Sequence, residues 1–187
     1  MKRCGIALFC LYMAPVFGQI NKQEILKKMQ DSEDKSWAEK TRLPVTDIRS
    51  IREAAGVTDD TLGARILDLD MKSLSRQKHI LFVDAPLGEC MQVHVLERSG
   101  PGFREVWSLT DLPAHQFPEM KIVAHGAGRG ICPQAPKVPS AHATSDGRII
   151  VEIPILFDLS QRTFPPRILS FSWDGSKYVL NDDSQIR

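Results

Sequence analysis

The spacing of apolar residues in this 187-residue chain changes once, near Thr58, and that change limits what the chain can fold into. From residue 21 to that point, apolar side chains recur every three to four residues; after it, they alternate with polar ones or gather in short runs. Helical spacing followed by strand spacing predicts an α+β fold: one or two N-terminal helices, then an antiparallel sheet of about six to eight strands built from hairpins and meanders.

Residues 21–40 are rich in Lys, Glu, Gln and Asp, with Ile25, Met29 and Trp37 at helical spacing. This predicts a mostly solvated helix with a narrow apolar stripe, packed on the sheet or serving as a leader. Leu43-Pro44 interrupts it. A second helix follows, with Pro44 suited to its first turn, Val45, Ile48, Ile51 and Ala55 on one face, and Gly56 as its stop.

Strand patterns fill the rest. In residues 64–71, Leu67, Leu69 and Met71 alternate with Asp68, Asp70 and Lys72. Residues 78–83 form a short apolar strand. Residues 91–98 alternate, with Met91, Val93 and Val95 on one face and Cys90, Gln92, His94 and Leu96 on the other. Ser99-Gly100-Pro101-Gly102 then turns the chain into a partner strand over 103–109. With Arg98 opposite Phe103, regular pairing puts His94 opposite Trp107 and Val95 opposite Val106, and Phe103, Trp107 and Leu109 on one face. Residues 120–125 suit a strand, whereas the glycines of 126–130 and Pro133, Pro136 and Pro139 predict an exposed loop. Residues 148–157 read as a strand kept to an edge or a bulge by Pro154. A second hairpin follows over 168–180, with Leu169, Phe171 and Trp173 on one face, and the last seven residues read as frayed.

The compartment is read from the start of the chain. Lys2 and Arg3 precede an apolar, uncharged stretch from Gly5 to Phe17, and Val16 and Gly18 are small residues before Gln19. The run is too short to span a bilayer, so residues 1–18 are expected to be a cleaved signal peptide, 19–42 a polar helical leader and 43–187 a single domain. The product would be secreted or periplasmic, with no membrane span. Losing Lys2 and Arg3 leaves acidic and basic residues nearly balanced, which gives no electrostatic footprint for nucleic acid. Cys4 and Cys10 leave with the signal. The remaining pair, Cys90 and Cys132, is expected to form a disulfide that stabilises the fold by about 4 kcal/mol and pins the 126–140 loop to the sheet.

Catalytic signatures are sparse. No G-x-S-x-G elbow accompanies the glycines of His125-Gly126-Ala127-Gly128, and no Gly-Lys-Ser/Thr ending makes Arg129 part of a phosphate loop. The five histidines, His79, His94, His115, His125 and His142, include no pair at metal-clip spacing, although His94, His125 and His142 would form a site if the fold gathered them. Asp68 with Asp70, Asp182 with Asp183, and Glu105, Glu152 and Asp158 read as solvated carboxylates unless the fold pairs them.

The reading is therefore an exported binding module for a protein or glycan partner, with no cofactor, no metal and no recognisable catalytic residue. Its expected interaction loop includes His125, Gly126, Gly128 and Arg129. The alternative is a small extracytoplasmic hydrolase or metal-dependent enzyme. A pocket gathering two or more of His94, Glu105, His125, Arg129 and His142 would favour that alternative.

Overall fold

The computed structural model describes residues 21–57, 64–85, 91–112, 121–122, 129–130, 139–153, 156–157 and 163–185. Two helices come first, α1 (Lys22–Thr41) and α2 (Val45–Ala54). Asn21 caps α1 by accepting from the Gln23 N–H, and Gly56 follows α2 at φ 78°, a left-handed geometry that glycine adopts without strain.

The strands form two four-stranded antiparallel sheets. The first is a meander of β1 (Arg65–Asp70), β2 (His79–Ala85), β3 (Gln92–Ser99) and β4 (Gly102–Ser108). Two short ladder strands, β5 (Lys121–Ile122) and β6 (Arg129–Gly130), pair with each other. The second sheet uses β7 (Ser140–Ala143), β8 (Ile149–Ile153), β11 (Arg167–Trp173) and β12 (Tyr178–Gln185), in the order β12-β11-β8-β7. Between them in sequence, β9 (Leu156–Phe157) pairs with β10 (Thr163–Phe164).

The first sheet is the middle layer. Its odd-numbered face, Leu81, Val83, Val93 and Val95 with Trp107, packs against Ile149, Val151, Leu169 and Phe171 of the second sheet. Its other face, Ile66, Leu69, Ile80, Phe82 and Leu96, receives Ala38, Ile48, Ile51 and Ala55 from the helices. All seven residues of β2 are consequently buried. His79 lies beneath this layer, with Nδ1 3.0 Å from the Tyr178 hydroxyl and its ring edge-on to Trp173 at 4.6 Å. Burial holds the His79 pKa below its ordinary value against a small opposing pull from Glu97, and burial raises that of Tyr178.

The α+β class and the antiparallel pairing match the sequence reading, and several details depart from it. The β3–β4 register holds at the turn, where Arg98 faces Phe103, but a bulge at Val106 then brings Trp107 opposite Val95 and Ser108 opposite His94. Trp107 thereby joins the core between the sheets while Phe103 stays on the helix side, so the expected row of Phe103, Trp107 and Leu109 is broken. Of the strand read over 148–157, Ile149–Ile153 forms β8, which runs between two neighbours, and Leu156–Phe157 forms β9; Pro154, on which the reading of an edge or a bulge rested, lies outside the described residues. Ser140, the expected end of the 126–140 loop, instead opens a strand that runs to Ala143. The polar end of the chain, expected to fray, is instead part of the outermost strand as far as Gln185, which pairs with Arg167.

Candidate functional site

The apolar stripe of α1 is not where the helix is buried. Ile25 and Met29 are 43% and 62% exposed, while the packed residues are Asp34 and Ala38. The reason is electrostatic. Arg52, only 2% exposed on α2, donates to Asp34 Oδ1 at 2.7 Å, to Glu33 Oε2 at 2.8 Å and to the Ala64 carbonyl. Arg49 adds a 3.1 Å bond to Asp31. These bonds fix the rotation of α1 by its acidic face and leave Ile25 and Met29 facing outward.

Strand β1 completes the surface. A bulge between Ile66 and Asp68 leaves Leu67 without a partner on β2 and 40% exposed. An open groove of about 930 Å³ results between α1 and β1, with Ile25, Met29, Trp37 and Leu67 as its apolar lining. Lys28, Lys40 and Arg65 supply positive charge along it. Lys40 Nζ stands 3.9 Å over the Trp37 ring, and Lys28 pairs with the exposed Glu24. Sequence spacing located Ile25, Met29 and Trp37 as a stripe. Only the buried Arg52 network, with partners 18 and 19 positions away, shows that Ile25 and Met29 are left uncovered while Trp37 packs against the helix-side core.

A second cluster lies on the helix-facing side of the first sheet. His94 Nδ1 is 2.5 Å from Glu105 Oε1, and Nε2 is 3.3 Å from both Asp84 Oδ1 and Gln92 Oε1. Asp84 is fully buried and His94 is 3% exposed. Burial alone would discharge the imidazole. The bonds and charges of Asp84 and Glu105 outweigh that and raise its pKa to about 9. His94 is therefore an imidazolium at neutral pH with both nitrogens engaged, which leaves it no free nitrogen to act as a general base. The two carboxylates approach opposite edges of the ring, so they do not converge with it on one ion.

The other candidates are dispersed. His142 is exposed on β7, in the other sheet from His94. Glu152 accepts from Ser140 at 3.3 Å, and Asp68 and Asp70 accept backbone N–H groups of Leu69, Lys72 and Ser73. Against the upward push of partial burial, the Ser73 hydroxyl, donating at 2.6 Å, together with the Ser73 and Lys72 N–H groups holds the Asp70 pKa below its ordinary value. His115, His125, Gly126, Gly128, Asp158, Cys90 and Cys132 lie outside the described residues, and of Arg129 only the backbone, in β6, is described. Among the described residues no group of three or more His, Cys, Asp or Glu is arranged to hold a metal, and no helix is long and apolar enough to cross a membrane. Of the residues whose gathering would favour an enzyme, His94 and Glu105 do meet, as an ion pair between β3 and β4 that lies outside the α1–β1 groove. No family model, curated protein or solved structure matches this chain.

Proposed function

We propose that this chain is an exported binding module whose interaction surface is the groove between α1 and β1. The observation that carries the reading is the exposure of Ile25, Met29 and Leu67 together around one concave surface. Isolated exposed apolar residues are ordinary, whereas several lining a single groove with charged neighbours have the composition of a recognition site. A protein partner suits it better than a glycan. Sugar rings stack on open aromatic faces, and the Trp37 face is covered by Lys40. The enzyme alternative draws no support from His94, whose two nitrogens are committed to neighbouring side chains.

Export and the Cys90–Cys132 bridge belong to the same proposal and rest on the residue pattern: a charged start, a short apolar run, small residues before Gln19, and two thiols beyond it.

The groove is tested by placing a photo-crosslinking amino acid at Met29 and, separately, at the exposed Glu152 on the second sheet, in the protein in its native compartment. A discrete adduct should form from Met29, be absent from Glu152, and disappear when Leu67→Asp is added. Since Leu67 is already exposed, that substitution should change stability by less than about 0.5 kcal/mol. Equal adducts from both positions, or none from Met29, would overturn the assignment of the groove.

A further inference from the structure

Resting on the groove as the binding surface, we infer that its occupant is an amphipathic helix of a partner protein, apolar on one face and flanked by acidic residues, and not a strand added to the sheet edge. The first ground is that β1, although an edge strand, has two of its backbone donors held by side chains. The Ile66 N–H donates to Glu33 Oε1 at 3.0 Å, and the Leu69 N–H donates to Asp68 Oδ1 at 2.9 Å. Strand addition works by offering unpaired backbone groups to an incoming chain. To free Ile66, Glu33 would have to swing away, yet the same carboxylate is held at 2.8 Å by Arg52. The bulge at Leu67 twists the edge between these two positions, a further obstacle to a continuous ladder.

The second ground is shape. Ile25 and Met29 are one helical turn apart and form a short ridge, with Leu67 opposite them across the groove. Such a ridge accepts apolar side chains projecting from another helix at three- and four-residue spacing. From Ile25 to Lys40 the groove follows α1 for about 22 Å, room for roughly four turns of a partner helix.

The third ground is charge. Lys28, Lys40 and Arg65 line the groove; Lys28 is paired with Glu24 and the Glu33 carboxylate is neutralised by Arg52, which leaves Lys40 and Arg65 as the charges offered to a partner. The surface left for a partner is positive at its margins, which favours Asp and Glu beside the apolar stripe. A second copy of this chain would bring another positive margin, its own Lys40 and Arg65, to the groove and is disfavoured for that reason.

The test uses three synthetic peptides of roughly 16 residues. One is a stapled helix with Leu at i, i+3, i+4 and i+7 spacing flanked by Glu; one is the same helix flanked by Lys; one has the acidic composition in strict alternation. The acidic helix should bind the full chain saturably. The other two should bind about tenfold more weakly or worse, and Met29→Asp or Arg65→Glu should each weaken the acidic helix by a similar factor. Stronger binding of the alternating peptide, or equal binding of the Lys-flanked helix, would overturn the inference while leaving the groove as the binding surface. No peptide binding, with Met29 still yielding its discrete crosslink, would do the same. No peptide binding and no crosslink would overturn both. A dimer in sedimentation that Met29→Asp dissociates, or binding to phosphatidylglycerol vesicles that Met29→Asp abolishes, would assign the groove to another occupant and overturn the helix.

Discussion

Arg52 shows how one side chain sets the position of a helix. Its guanidinium and the Asp34 carboxylate are essentially without solvent, and the pair joins α1 to α2 while the same group reaches the carbonyl before β1. Removing one member of such a pair strands the other as an unpaired buried charge, whereas replacing both with apolar groups is often close to neutral. Arg52→Met should therefore cost about 3–5 kcal/mol, and Arg52→Met combined with Asp34→Leu should recover most of that in urea unfolding. Failure of the double variant to recover would mean that the network holds more than the pair. None of this was legible in the sequence, where Asp34 and Arg52 stand among many surface charges and nothing in their spacing marks them as partners. The same holds for His94: alternation placed it correctly on the face opposite Val93 and Val95, but its partners come from β2 and β4 and depend on the register between strands.

At the scale of elements, turns and alternation were the readable signals. The turn at 99–102, the second hairpin and the stop at Gly56 all stand where turn chemistry puts them. Bulges were not readable, because an extra residue such as Val106 changes neither composition nor local hydrophobicity, and it reverses every facing beyond it. Trp107 makes the difference measurable. Its ring is 5% exposed, 4.9 Å from Phe171 and 5.8 Å from Tyr178. Trp107→Ala should then cost about 3–5 kcal/mol, as expected for an aromatic lost from a packed core. The regular register with Val106 in the ladder would have put the side chain on the helix face beside His94; deletion of Val106 should remove the bulge, keep Trp107 opposite Val95 and cost less than Trp107→Ala.

For the whole molecule, the pH dependence of stability is bounded by two histidines with opposite shifts. The folded-state pKa of His94 is raised to about 9 from 6.5, so its stabilisation is fully present below 6.5 and is lost as pH rises through 9. That loss is on the order of 3 kcal/mol. His79 is shifted down, so its contribution has the other sign, and stability falls as pH drops below 6.5. Urea midpoints should accordingly be highest near pH 6.5 and decline on both sides. His94→Gln should lower the midpoint throughout and flatten the alkaline limb; an unchanged alkaline slope would remove the imidazolium as its cause. Both residues lie on the first sheet, whose faces carry separate cores, so each limb reports on a different layer of one cooperative structure.

The three bulges described in the two main sheets share one trait: the extra residues, Leu67, Val106 and Asn181, all fall on outermost strands, β1, β4 and β12. The inner strands β2, β3, β8 and β11 carry none, since each is bonded along both sides and a gained residue would break two ladders at once. Tolerance of insertions and deletions in this fold is thus a property of position in the sheet. A residue added on a margin should therefore be tolerated where one added on an inner strand is not, and the margin at β1 is where Leu67, the side chain across the groove from Ile25 and Met29, stands outside the ladder.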